Sequence, residues 1–125
     1  MDSVSGSNIA GNIAYEDLRE WLVLADRLGE VEYVNGASWE EDIGLAAEAV
    51  LREENGPCVV FDEVPGCPKG FRLLMNMFAG TRRNMTLGFP EHLTKWELSN
   101  AYRESFVKDQ KIEKHEIVKD GPIFE

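Results

Sequence analysis

GPCVVFDEVPGCPKGFRLLMNMFAGTRRNMT, residues 56–86, holds two dense apolar runs, the turn that joins them and a pair of arginines. Pro57–Phe61 and Phe71–Met75 are too short for helices and too apolar for water, so both read as buried strands. Between them Val64-Pro65-Gly66-Cys67-Pro68-Lys69-Gly70 carries two prolines and two glycines, which stop the first strand and let the backbone reverse. After the second run the chain passes through Gly80 and Thr81 to Arg82-Arg83. Thr81 is placed to cap a short helix that runs to Leu87, before Gly88 and Pro90 interrupt it.

Upstream, Leu18, Trp21, Leu22, Ala25 and Leu28 recur at steps of three and four from Tyr15 onward, while charged residues fall mostly elsewhere. This spacing predicts an amphipathic helix with one core-facing stripe, ended by Gly29. Glu30–Val34 then alternates polar and apolar residues, a half-buried strand with Val31 and Tyr33 on one side. Ser38-Trp39-Glu40-Glu41 reads as a capping box, Ser38 accepting from the Glu41 amide and Glu41 returning a bond to the Ser38 amide. It opens a second helix through Arg52, lined by Trp39, Ile43, Ala46, Ala47, Val50 and Leu51 and closed by Asn55-Gly56. Glu40, Glu41 and Asp42 crowd its first turn, where the helix dipole favours negative charge.

Downstream, a further helix is expected from Glu91 to Lys108, with Leu93, Trp96, Ala101 and Tyr102 as buried positions. Its stripe is less regular than the first two, as for a helix that partly faces another domain. Lys111–Val118 mixes charge with Ile112, Ile117 and Val118 and reads as an edge strand or a connector. Residues 1–14 are rich in serine and glycine and read as a disordered end, residues 15–110 as one domain, and residues 111–125 as a connector that leads onward. The apolar Pro122-Ile123-Phe124 is an unusual finish for a protein and reads as a cut. The predicted order of elements gives an α+β (or α/β) fold, a small mixed sheet covered by amphipathic helices.

A chain of 125 residues with 43% hydrophobic content suffices for one modest core. The net charge of −10, from 23 acidic and 13 basic residues, argues against nucleic acid, which needs a concentrated basic face. No apolar run approaches the roughly 18 residues that a membrane span requires, and the first residues lack the pattern of a secretion signal. The expected location is therefore cytoplasmic. In a reducing compartment Cys58 and Cys67 are expected as free thiols, one in a buried strand and one in a loop. With His92 and His115 distant, the two thiols form no recognisable zinc spacing.

Few residues carry chemistry on their own account. Asp62 and Glu63, at the end of a predicted strand, are the best carboxylate pair, but neighbours on a strand point to opposite faces and cannot readily share a substrate. His92 and His115 read as surface residues. Arg82 and Arg83 sit at a helix start, where their charge opposes the dipole. Two readings stand for them: surface arginines paired with nearby carboxylates, or cations waiting for a flavin phosphate, an acidic substrate or an acidic patch on a neighbouring domain.

The order of these segments resembles the N-terminal region of the UbiD-type decarboxylases. Asp17-Leu18-Arg19-Glu20-Trp21-Leu22 and Gly29-Glu30-Val31 are similar to the opening signature of that family. Gly56-Pro57 with its apolar strand, Val64-Pro65-Gly66, Asn76-Met77-Phe78-Ala79-Gly80 and Arg82-Arg83 follow in the family's order, with Ala79 as an extra residue in the fourth segment. The resemblance spans Tyr15 to about Gly88 and weakens toward Glu125. It implies the N-terminal domain of a carboxy-lyase that removes or adds carbon dioxide at aromatic, heteroaromatic or unsaturated acids. The cofactor so implied is prenylated FMN with a divalent metal (Mn or Mg) and K, held by a flavin-binding domain of the same polypeptide or a second subunit, in a dimer or higher homo-oligomer. The family's catalytic and metal-binding residues lie in that other domain. No catalytic, cofactor-binding or metal residue is therefore assigned here, and neither cofactor nor activity is expected of this piece alone. The alternative is a free-standing acidic interaction protein or small subunit with the same fold; a small hydrolase using Asp62 or Glu63 is a distant third.

Overall fold

The computed structural model describes residues 12–107 and 114–124. In these residues four α-helices and a short 3-10 turn surround a three-stranded mixed sheet, an α+β fold. The elements are α1 (Leu18–Arg27), β1 (Val31–Asn35), α2 (Asp42–Arg52), β2 (Cys58–Asp62), β3 (Leu73–Met75), α3 (Arg82–Thr86) and α4 (Lys95–Val107). Strand order is β1-β2-β3. β1 runs parallel to β2 with Val31 opposite Cys58, and α2 makes the crossover. β3 returns antiparallel through the proline-glycine loop, with Leu73 opposite Phe61.

The central strand explains why its sequence is continuously apolar. Cys58, Val59, Val60 and Phe61 are all buried, because a helix covers each face of the sheet. On one face Trp21 and Ala25 of α1 pack with Cys58 and Met85, with Leu22, Leu28, Val31 and Leu74 around them. On the other, Val59, Phe61 and Val64 pack against Ile43, Ala46 and Val50 of α2. Burying side chains such as Trp21 and Phe61 contributes roughly 1.5–3 kcal/mol each before entropy is counted.

Several boundaries differ from expectation, each for a local reason. Residues 39–41 form a turn, so α2 starts at Asp42. The reciprocal bonds run between Ser38 and Asp42, not Glu41: the Ser38 amide donates to Asp42 Oδ2 (2.9 Å) and the Asp42 amide to Ser38 Oγ (3.3 Å). That extra residue leaves Trp39 exposed instead of on the core stripe, and Leu51 is exposed as well. β3 is shorter than the predicted run, since Phe71 precedes the ladder and is exposed. α4 begins at Lys95 because Thr94 and Glu97 form a capping box that the sequence reading passed over: the Thr94 amide donates to Glu97 Oε2 (2.8 Å) and the Glu97 amide to Thr94 Oγ1 (3.3 Å). Starting there, the helix buries Leu98, while Trp96 (75% exposed) and Tyr102 face out. Tyr102 instead makes edge contacts with Phe89 and Phe106.

Residues 114–118 form no strand, and Ile117 is 84% exposed. Residues 1–11 and 108–113, on which parts of the end and connector readings fall, lie outside the described residues. Asn12, placed in the frayed end by the sequence, donates its amide to Gly88 O at 2.8 Å.

Candidate functional site

Of the two arginine readings, the one that pairs Arg82 with a nearby carboxylate holds, but the residue is not on the surface. Its side chain is fully buried, although at a helix start it opposes the dipole. The compensation is tertiary. Glu30, the last residue before β1, reaches across to the start of α3 and receives Arg82 Nη1 at 3.0 Å. The same carboxylate accepts the Thr81 and Arg82 backbone amides, each at 3.1 Å. Glu30 therefore caps α3 from a distance of fifty-odd residues in sequence, and Thr81 makes no side-chain cap bond.

The rest of the guanidinium faces backbone carbonyls. Arg82 Nη2 donates to Gly56 O (2.6 Å) and Asn76 O (2.7 Å), and Nε to Asn76 O (2.9 Å). Asn76 holds a left-handed backbone (φ +62°), and its amide group donates to Gly56 O and Pro57 O. Asparagine tolerates that conformation better than most residues because its short polar side chain bonds locally. One buried cation thus ties together the start of β1, the start of β2, the end of β3 and α3. The network continues: Thr86 Oγ1 donates to Arg82 O (2.7 Å) and accepts from Trp21 Nε1 (2.8 Å), and Tyr15 Oη donates to Thr86 O (2.7 Å).

Two glycines stand at close approaches around it. A Cβ on Gly80 (φ +58°) would lie 2.9 Å from Glu30 Oε2, and a Cβ on Gly56 would overlap the Val50 carbonyl oxygen. Gly80 is thus a packing requirement of the node, and Gly56 one of the close approach between the end of α2 and the chain entering β2.

Electrostatics agree with the geometry. Burial raises the Glu30 pKa, but the hydrogen bonds from Arg82 and Thr81 outweigh it and hold the carboxyl below its ordinary value. Burial pushes the Cys58 thiol up against the opposing attraction of Arg82, so the thiol is a core group. Cys67 is free and exposed.

The remaining candidates are scattered. Asp62 Oδ1 accepts the Glu63 amide at 2.7 Å, while the Glu63 side chain is exposed on a left-handed backbone (φ +50°). His92 and His115 are both exposed. Arg83 is half-buried; its Nη2 lies 3.5 Å from Asn84 Oδ1 and its Nε has no partner among the described residues. Asn84, which the sequence did not single out, gathers the carbonyls of Pro90, Glu91 and Leu93 and so fixes the loop before α4. Among the described residues no group of three His, Cys, Asp or Glu side chains could hold a metal ion, and no helix is long and apolar enough to cross a membrane.

The fold is a helix-sheet-helix layer whose buried Arg82 is engaged with Glu30 and with its own backbone. The family model for the 3-octaprenyl-4-hydroxybenzoate carboxy-lyase N-terminal domain matches residues 24–99, more than half of the chain, and the chain belongs to this family. Among solved structures it is similar to the vanillic acid decarboxylase of Sedimentibacter hydroxybenzoicus. In the open form with truncated ShVdcD the TM-score is 0.59 at 24% identity, covering 66% of this chain and 18% of that one. A second open form gives 0.57 at 25% identity over 65% and 18%. The closed form gives 0.54 at 24% over 67% and 18%. The chain therefore spans less than a fifth of the length of the structures it matches. No curated protein sequence matches it.

Proposed function

We propose that this chain serves as the N-terminal scaffold domain of a cytoplasmic carboxy-lyase that acts, reversibly and without oxidation, on aromatic, heteroaromatic or unsaturated carboxylic acids. The family match across residues 24–99 carries the reading, and the similar decarboxylase supports its reaction class. Prenylated FMN, with a divalent metal and K, would supply the electron sink for loss of carbon dioxide. The residues present do not fit that group. The buried guanidinium that could meet a phosphate already makes four hydrogen bonds to Glu30, Gly56 and Asn76. The domain's part is to hold a rigid surface against a flavin-binding domain of the same polypeptide or a second subunit, within a homo-oligomer.

The test compares the full-length gene product, reconstituted with prenylated FMN, with residues 1–125 alone. Carbon dioxide release from a panel of aromatic and unsaturated acids is expected only from the former, and flavin absorbance only in it after gel filtration. Stoichiometric flavin on residues 1–125 would overturn the assignment.

A further inference from the structure

On the α1 face of the sheet lies an open groove of about 300 Å³, floored by Leu18, Leu22, Val60 and Leu74 and flanked by Arg19 and Arg72. Its chemistry is unlike the rest of the chain. In a protein of net charge −10 the flanking groups are both cations. Arg72 makes no ion pair among the described residues, and Arg19 has only Asp17, at 3.9 Å, with its side chain 89% exposed. The apolar surface continues outward, since Leu18 is 53% exposed and Phe71, next to Arg72, is 70% exposed. Two cations beside an apolar floor, Arg72 without an ion pair among the described residues and Arg19 at 3.9 Å from Asp17 alone, are complementary to an apolar side chain flanked by carboxylates. An open groove with exposed apolar edges suits a protein segment better than a small molecule, whose sites enclose most of the ligand's surface.

We propose that this groove seats a segment of the same enzyme from beyond residues 1–125, an apolar anchor residue flanked by Asp or Glu. The proposal rests on the reading of this chain as one domain of a larger carboxy-lyase, and it names the surface through which that domain is held. Apolar burial would supply the contact, and the two arginines would fix its register and exclude basic segments.

The experiment places p-benzoylphenylalanine at position 18 of the full-length protein, where the native leucine is half exposed, and maps photo-crosslinks by mass spectrometry. The expected product joins position 18 to an acidic-apolar segment outside residues 1–125. Its yield should fall about tenfold with Arg19→Glu plus Arg72→Glu, with circular dichroism unchanged, and stay high with Arg19→Lys plus Arg72→Lys. A crosslink within residues 1–125 of a second copy, a crosslink to a segment lacking carboxylates, no peptide crosslink, or a yield indifferent to charge reversal would each overturn it. Carbon dioxide release measured on the same preparation separates the two ideas: an active enzyme without the crosslink refutes the groove alone, whereas loss of the functional reading shows as missing flavin and missing turnover.

Discussion

The two faces of β2 are held by different physics. Toward α1, the apolar contacts of Trp21, Ala25 and Cys58 are overlaid by the polar chain from Glu30 through Arg82 and Thr86 to the Trp21 indole. Toward α2 the contact is apolar alone, and that helix has no fully buried residue. An apolar contact is non-directional and tolerates small shifts, whereas a buried guanidinium permits only arrangements that satisfy it. The α1 face therefore fixes the relative placement of strands and α3, and the α2 face supplies burial.

The contrast is most exposed to failure at Arg82. Arg82→Met should destabilise the domain by roughly 3–5 kcal/mol, because Glu30 loses its charge partner, the Asn76 carbonyl loses its donor and the Gly56 carbonyl keeps only the Asn76 side-chain amide; urea unfolding measures it. A cost below about 1 kcal/mol would mean that the node is dispensable. On the opposite face Ile43→Ala should cost about 2 kcal/mol, the low end for truncating an aliphatic core residue, since the site is only partly buried. A larger loss there than at Arg82 would invert the comparison. Thr86→Val keeps the shape but strands the Trp21 indole N–H, for about 1–2 kcal/mol. Ser38→Ala, which removes an acceptor at the exposed start of α2, should cost about 0.5–1 kcal/mol.

Acid should weaken the node around Arg82. The folded pKa of Glu30 is depressed, so its contribution is fully present above its unfolded value and is lost as pH falls through the folded one. Asp42 and Glu97 are shifted the same way by hydrogen bonds from Ser38 and Thr94. The Glu30 share is the difference between the wild type and Glu30→Gln: below pH 4.5, the ordinary value for glutamate, the wild type should lose stability more steeply in denaturant titrations.

What could be read from residue order was whatever depends on neighbours along the chain. The apolar runs around Val60 and Leu74, the stripe through Trp21 and Ala25, and the family pattern all lie in local spacing. The node does not. Glu30 reads as one polar position of an alternating strand, and nothing near it shows that its partner is Arg82; Asn76 reads as part of the segment after the second strand and Asn84 as one position of a short helix. Arg82 stands out in the sequence because its charge is wrong for a helix start, and the resolution of that conflict lies in a carboxylate brought in by the fold. The capping box at Thr94–Glu97, by contrast, is legible in the sequence as a Thr-x-x-Glu spacing.

Of the three tryptophans, Trp21 is sealed and hydrogen-bonded while Trp39 and Trp96 stand in solvent. This gives the protein a built-in optical gauge. Iodide should quench the two outer indoles and spare the inner one, so the unquenched blue emission follows the seam between α1 and α3 without any label. Its shift to the red would time the opening of that seam separately from events at the far helix.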